Sequence, residues 1–220
     1  MSVGKRVRAL AGPFEPLLTD AYRRIFFDVD AFARRLCASR RFSRVVEVGC
    51  GEGALLSALS LHAPSAHLTG IDISPGAGRL FSGDAARTEF IVGDAAEHAR
   101  SNPASADLVI VCDVMHHIAP GQRAEVWRAI ASIAAPEATI VIKEWIRSPW
   151  SAAYWLGHAS DRFITGDIVE YRTAVQWIDE MSAALPDWEI DETLRLSPWR
   201  VNQAFMLKRR RPAGEGAGTR

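Results

Sequence analysis

The sequence predicts an α/β fold, an open and mostly parallel sheet with helices on both faces. The first observation is the segment 45–59, in which β-branched residues run into a glycine-rich turn and then into an apolar helix. The second is the alternation of strand and helix patterns that continues over residues 67–184. The third is a pair of alternating segments at 188–195 and 201–207, which predicts an antiparallel pair at the end of the domain.

The turn at 49–53 is the first element that indicates a ligand. Its sequence, Gly-Cys-Gly-Glu-Gly, leaves the loop backbone and the following helix N-terminus open to a bound molecule. Glu47 lies inside the preceding strand, where a buried carboxylate needs a partner. The glycine spacing differs from the Gly-x-Gly-x-x-Gly of dinucleotide-binding turns, which disfavours a nicotinamide dinucleotide. The next strand, 67–72, ends in Asp72, and an acid there can bind both hydroxyls of a ribose.

With these residues the chain resembles the class I S-adenosylmethionine (SAM)-dependent methyltransferases. In that family Glu-x-Gly-x-Gly-x-Gly cradles the methionine part of SAM and the second acid holds the ribose. The resemblance implies a Rossmann-like, seven-stranded sheet in the order 3-2-1-4-5-7-6, with strand 7 antiparallel, helices on both faces and a helical lid. The alternative is a Rossmann-like turn without this ligand. The cofactor contacts that the resemblance implies are Glu47, Gly49, Cys50, Gly51, Gly53, Asp72, Ile73, Asp94, Ala95 and Asp113.

The crossover after the second strand is expected to be short, because glycines and a proline between 73 and 81 make a poor helix. The third strand, 89–92, ends in Gly93-Asp94-Ala95. The family resemblance implies that Asp94 accepts a hydrogen bond from the adenine amino group and that the Ala95 backbone touches the ring. Asp94 could equally cap the helix that follows, and both roles can coexist.

Two histidines follow the fourth strand, 106–112, whose residues are nearly all apolar, as in a central parallel strand. Ligands of open α/β sheets bind beyond the carboxyl ends of such strands, which places Asp113, His116 and His117 at the mouth of the site. A neutral imidazole is suited to accept a proton from a hydroxyl. We predict His117 as the catalytic base and His116 as the second candidate; each could instead be structural. The segment Asp-Val-Met-His-His-Ile resembles that of small-molecule methyltransferases, not the Asn/Asp-Pro-Pro-Tyr segment of amino-group methyltransferases.

The acceptor is expected to lie under aromatic residues of an N-terminal cap (1–42) and of a lid insertion (146–170) within the methyltransferase domain (43–209); residues 210–220 read as a disordered basic tail. The candidates are Tyr22, Trp145, Tyr154, Trp155 and His158, although aromatic residues here could simply pack the lid.

Two further patterns concern packing near the fifth strand and beyond it. Lys143 and Glu144 are predicted to pair at the sheet rim, with binding of a ligand as the alternative. A helix over 171–184 is predicted to face inward with Val175, Ile178 and Met181.

Composition excludes several classes of protein. Lys plus Arg and Asp plus Glu both number 26, so no positive field favours nucleic acid. Cys37, Cys50 and Cys112 form no metal-ligand pattern, and their odd number disfavours a disulfide framework. No apolar run is long enough to span a bilayer. We therefore expect a cytoplasmic protein without a metal or a stable membrane insertion, and a homodimer is compatible with the sequence.

The predicted function is methyl transfer from SAM to an oxygen or a carbon of a small, apolar or aromatic molecule, with a biosynthetic role. Two rivals remain open: a SAM-binding protein that does no methyl transfer, and an NAD(P)-binding oxidoreductase.

Overall fold

Seven strands form one sheet in the order β3-β2-β1-β4-β5-β7-β6 in the computed structural model, which describes residues 27–38, 40–148, 150, 170–197 and 201–211. The predicted order is confirmed. β7 runs antiparallel to both of its neighbours, and the other pairings are parallel. The strands are β1 Arg44–Val48, β2 His67–Asp72, β3 Thr88–Val92, β4 Ala106–Cys112, β5 Ala134–Trp145, β6 Trp188–Leu196 and β7 Asn202–Arg209.

Helices cover both faces of the sheet, as predicted. α1 (Val29–Ala38) and α2 (Ala54–His62) pack together, while α3 (Ala95–Ser101) and α5 (Ala174–Ala184) pack beside α4 (Pro120–Ile133). Successive strand residues supply the two cores, because side chains alternate across a strand. Val45 of β1 lies in the core with α1 and α2, and Val46 lies in the core with the other three helices.

One predicted face of α5 is wrong at a single residue. Met181 is buried and Ile178 is half-buried, but Val175 is 65% exposed. The inner stripe instead includes Trp177, one of the largest fully buried side chains. Val175 lies outside this stripe because inner positions recur every three or four residues, and the stripe through Trp177 and Met181 passes beside it. The helix begins later than predicted, after a capping box at Thr173.

The crossover from β2 to β3 lacks an α-helix, which confirms the predicted shortening. It consists of turns and one short 3-10 helix, Ala85–Arg87. Its backbone pairs with the glycine turn instead, since the N–H of Gly78 donates to the Gly51 carbonyl at 2.9 Å. The Phe81 and Phe90 rings pack edge to face against this contact, with centroids 5.2 Å apart. The crossover therefore supports the loop that was predicted to bind the cofactor.

β5 begins at Ala134, earlier than the predicted start at residue 138. Most of the predicted cap, lid insertion and basic tail lies outside the described residues, and these divisions of the chain stay predictions. Within the described ranges, no helix has the length and apolar character needed to cross a membrane.

Candidate active site

The glycine turn after β1 is held from one side and open on the other. The N–H groups of Gly49 and Cys50 both donate to the Ile71 carbonyl, at 2.7 and 3.1 Å. Gly49 has a φ of +74°, and a Cβ there would lie 2.2 Å from a methyl group of Val114. Gly51 has a φ of +51°, but a Cβ there would meet no atom of the described residues within 4 Å. Space for a ligand therefore lies over Gly51.

Asp72 ties the end of β2 to this turn. One carboxylate oxygen accepts the N–H of Gly51 at 2.7 Å, and the other accepts the N–H of Ser74 at 2.8 Å. Each oxygen still has a second lone pair with which to accept a ribose hydroxyl. Ile73, the next residue, is 81% exposed and offers an apolar surface beside the acid.

Two other predicted cofactor residues of the turn are buried. Glu47 lies in β1 and Cys50 in the turn itself. Burial, followed by the charges of Glu47 and Asp72, raises the pKa of the Cys50 thiol to about 12. The thiol is therefore neutral and serves as a packing group. Gly53, the last glycine of the turn, is the N-cap of α2 and packs against Gly78.

Asp94 caps α3. Its Oδ1 accepts the N–H of Ala96 at 2.7 Å, so the capping role is present, and Ala95 is buried at the start of the helix. The contact of Asp94 with adenine stays a prediction. The cap does not prevent it, because Oδ2 and the second lone pair of Oδ1 can still accept a hydrogen bond.

Asp113 and Lys143 form an ion pair between the ends of β4 and β5. Lys143 Nζ lies 2.5 Å from Asp113 Oδ2, and the Asp113 N–H donates to the Lys143 carbonyl. The ammonium also sits 4.4 Å from the centre of the Phe27 ring. The predicted rim pair of Lys143 with Glu144 is wrong: both are buried, and adjacent strand residues point to opposite faces of the sheet.

His116 and Glu144 meet on the other face. His116 Nδ1 lies 2.5 Å from Glu144 Oε2, and Glu144 Oε1 accepts the N–H of Met115 at 2.8 Å. Both side chains are buried, whereas His117 is exposed, with its ring 4.2 Å from that of His116. Tyr171 stacks on His116 at 5.4 Å. The contact with Glu144 therefore fixes the orientation of the His116 ring through Nδ1.

Three possible metal-ligand atoms, from Asp113, His116 and Glu144, lie within 4.8 Å of one another, where no metal site was predicted. The contacts already made there suit a proton-transfer pair better than a cation. Lys143 neutralises Asp113, and both oxygens of Glu144 already accept hydrogen bonds. A metal ion would have to displace these partners.

The predicted acceptor residues are only partly covered by the described ranges. Trp145 is buried at the carboxyl end of β5, one residue after Glu144. Tyr22, Tyr154, Trp155 and His158 lie outside the described residues. The sequence did not reveal Glu144 as the partner of His116, although a charged residue in an apolar strand was a signal that it needed one.

The chain is similar to several solved structures. It shares 18% identity with the mitomycin 7-O-methyltransferase MmcR, with a TM-score of 0.64 over 82% of this chain and 54% of that one. The pyocyanin biosynthetic protein PhzM gives 16% identity and a TM-score of 0.70 over 93% of this chain and 61% of that one. This chain therefore spans less than two thirds of the length of either protein.

A third structure is nearer in length. It is the 1,6-didemethyltoxoflavin-N1-methyltransferase of Burkholderia thailandensis with bound 1,6-didemethyltoxoflavin and S-adenosylhomocysteine. Identity is 15% and the TM-score is 0.62, over 95% of this chain and 91% of that one. No curated protein sequence matches the chain.

The sequence itself matches a family model over residues 45–137, and that family is described as a methyltransferase domain. The matched range contains the glycine turn, Asp72, Asp94 and the Asp113–His117 segment. Together with the strand order and the solved structures, this match confirms the resemblance seen in the sequence: residues 45–137 match the methyltransferase-domain family model, and the chain has the class I SAM-dependent methyltransferase fold.

Proposed function

We propose that the protein transfers the methyl group of SAM to a hydroxyl oxygen of a small, apolar or aromatic molecule, with His116 as the general base. The observation that carries the proposal is the buried contact between His116 Nδ1 and Glu144 Oε2 beside the end of β4. A buried imidazole held by a carboxylate is suited to accept a proton from a neutral acceptor. His117 is exposed, and we therefore rank it second.

The residues of the glycine turn fit the cofactor. Gly51 leaves open space for the ligand. Asp72 is suited to the ribose, and the exposed Ile73 next to it offers an apolar surface for the base. Asp113 Oδ1 is buried and has no hydrogen-bond partner among the described residues, so it can accept a bond from an amino group. When bound, SAM would supply a methyl carbon on a positively charged sulfur: the acceptor oxygen bonds to that carbon as the carbon–sulfur bond breaks, and S-adenosylhomocysteine is the leaving group.

His116 and Glu144 have different roles in this proposal. His116 Nε2 takes the hydroxyl proton as the oxygen attacks, and Glu144 holds the Nδ1–H and stabilises the imidazolium that forms. General-base assistance of this kind contributes about 10²–10⁴ in rate. Alignment of the acceptor with the methyl group contributes more, about 7–11 kcal/mol. A carbon or an already ionised acceptor would need only the alignment.

The proposed substrate class is a small biosynthetic molecule. The similar structures include a mitomycin methyltransferase and a pyocyanin biosynthetic protein, which supports this class without naming the acceptor.

We also propose a cytoplasmic location, because Cys37, Cys50 and Cys112 are free thiols. A homodimer remains compatible with these observations.

Two alternatives stay distinct from this proposal. A SAM-binding protein without transfer would share the glycine turn and Asp72 but would not depend on His116 for any product. An NAD(P)-binding oxidoreductase is disfavoured by the glycine spacing and by the match to a methyltransferase domain.

The test combines binding and turnover. Calorimetry with SAM, S-adenosylhomocysteine and NAD should show binding of the first two alone, and Asp72→Ala should weaken it by about 1.5–3 kcal/mol. Asp84→Ala is the matched control, because Asp84 is an exposed cap outside the site.

Methyl-labelled SAM with a panel of phenols and hydroxyl compounds should then yield methylated product. His116→Ala should lower the rate by at least about tenfold, and His117→Ala should lower it less. Binding without product from any acceptor would favour the SAM-binding alternative.

A further inference from the structure

Arg123 is a buried arginine beside the turn that carries His116. It lies on α4 and is only 2% exposed. Its Nε donates to the carbonyls of Met115 and Ile118, at 3.0 and 2.9 Å. These two carbonyls flank His116 in the 3-10 turn Met115–His117 and its cap. Hydrogen bonds from a charged donor are among the stronger ones in proteins, so one guanidinium holds both ends of the turn.

The remaining guanidinium nitrogens of Arg123 bind carboxylates from another part of the chain. One lies 3.2 Å from Glu170 and another 3.3 Å from Glu180 on α5. The backbone N–H of Glu170 also donates to the His116 carbonyl, at 3.0 Å. The turn at His116 is therefore held from two sides, by the Arg123 side chain and by the Glu170 backbone, and Arg123 also binds the Glu170 side chain.

The ion cluster around Arg123, which also contains Glu170, Glu180 and Arg172, is balanced in charge. Arg172 pairs with Glu170 at 3.0 Å and also with Glu180, so two guanidinium groups face two carboxylates. The Trp177 ring lies 5.2 Å from one guanidinium carbon and 5.6 Å from the other. A buried arginine is tolerated only when its charge is compensated in this way. If Arg123 served only to anchor α5, its contacts with the two carboxylates would be enough. Its hydrogen bonds to the Met115 and Ile118 carbonyls are not needed for that purpose.

We propose that Arg123 is a positioning residue for His116. It fixes the turn so that the imidazole meets Glu144 on β5 and keeps its other nitrogen toward the acceptor. The role in turnover rests on the proposed function, in which His116 is the general base. The competing role is purely structural, in which Arg123 joins α4 to α5 and the imidazole keeps its place without it.

The first experiment compares Arg123→Lys with Arg128→Met. A lysine keeps the charge but cannot bridge two carbonyls and two carboxylates at once. Arg128 is the matched control, because it is exposed on the same helix and, within the described ranges, donates only to the Ala124 carbonyl. We expect kcat of Arg123→Lys to fall by at least about tenfold, since a 1 Å misplacement can cost about 10²-fold. SAM affinity should be nearly unchanged, and Arg128→Met should match the wild type.

A double variant separates positioning from general damage. If Arg123 acts through the imidazole, Arg123→Lys should cause little further loss in a His116→Ala background. Losses that multiply would overturn the proposal, because they would show an effect independent of His116. A lower melting temperature with unchanged kcat would overturn it as well.

A third measurement does not depend on turnover. Nitrogen-15 spectra of histidine-labelled protein without substrate report the tautomer and the titration of His116. Arg123→Lys should change them, and unchanged spectra would overturn the positioning role. Glu170→Gln, at a half-exposed side chain, removes one partner of Arg123 with little risk to folding and should cause a smaller change in the same direction. If the wild-type protein makes no product but Arg123→Lys still changes the spectra, the positioning role stands and only the proposed function is refuted.

Discussion

The Nδ1 atom of His116 lies 2.5 Å from Oε2 of Glu144, and the same carboxylate accepts the backbone N–H of Met115 through its other oxygen. One side chain on β5 thus fixes both the imidazole and the backbone from which it projects. Because β4 and β5 are parallel neighbours, the turn after β4 and the end of β5 meet at the carboxyl edge of the sheet. The contact brings together two side chains that are 28 residues apart in the chain.

Glu144→Gln should therefore lower kcat without lowering SAM affinity. The amide lacks the charge that stabilises an imidazolium, and it can hold His116 in the wrong tautomer. We expect a loss of about 10–10² in kcat, measured with labelled SAM at saturating acceptor. A variant that keeps the wild-type rate while remaining folded would show that the carboxylate only packs the turn.

The same substitution should alter the pH dependence of kcat. Among the described residues, the His116 ring lies beside Glu144, Asp113, His117 and Tyr171, and Arg123 binds the turn that carries it. Removing the carboxylate disfavours the protonated ring, so the acid limb of the rate profile should move to lower pH in Glu144→Gln. An unmoved limb would assign the titration to another group.

Gly49 and Gly51 should respond differently to alanine. At Gly49 the new methyl would enter the Val114 side chain at 2.2 Å, which should lower the free energy of unfolding by about 1–3 kcal/mol through overpacking. The left-handed backbone should add about 1–2 kcal/mol at either glycine. Gly51→Ala should thus cost less stability but weaken SAM binding, because its methyl enters open space.

Urea unfolding and calorimetry measure the two effects separately. Val114→Ala should restore part of the stability of Gly49→Ala and none of the SAM affinity of Gly51→Ala. Equal stability losses at the two glycines would contradict the difference in their surroundings.

Cys50 should resist alkylation in the folded protein. Burial, Glu47 and Asp72 raise its pKa to about 12, and the thiolate is the form that reacts. Because the folded pKa exceeds the unfolded one, this thiol also stabilises the fold below the unfolded pKa, and that contribution is lost as pH rises above it. Mass spectrometry after iodoacetamide treatment at mildly alkaline pH should show Cys50 unmodified until urea is added. Rapid labelling of the native protein would show that the turn opens.

Much of the fold followed from local patterns. The glycine turn, the strand ending in Asp72 and the closing antiparallel pair are each encoded by neighbouring residues, so periodicity and turn chemistry were enough to predict them. Val175 was assigned to the wrong face because a short amphipathic helix leaves its phase open until packing fixes it, here around Trp177.

The site was less predictable, because its contacts join distant segments. Asp72 and the histidines could be placed at the sheet edge from strand ends alone. Two pairings of the site, His116 with Glu144 and Asp113 with Lys143, depend on the strand register between β4 and β5. The sequence alone does not specify that register. Lys143 and Glu144 are neighbours on β5 and therefore face opposite sides of the sheet, where they bind separate partners.

The ion pair of Lys143 with Asp113 offers the last prediction. Lys143 is buried and contacts the Phe27 ring, while Asp113 has a left-handed backbone, with a φ of 57°, and a side chain that is 37% exposed. Lys143→Met leaves the carboxylate without its cation. A broken buried pair costs about 3–5 kcal/mol, but the exposure of Asp113 allows water to compensate, so we expect about 1–3 kcal/mol.

Lys143→Met combined with Asp113→Gly should recover much of that stability. Glycine accepts the left-handed backbone without strain, and the double variant leaves no charge without its partner. Asp113→Gly alone should be destabilising despite the relaxed backbone, because among the described residues the buried ammonium then keeps only its contact with Phe27. Urea unfolding of the four proteins gives the coupling energy directly. A coupling near zero would mean that the two side chains are close without stabilising each other, and SAM titration of the same proteins would show whether Asp113 contributes to binding instead.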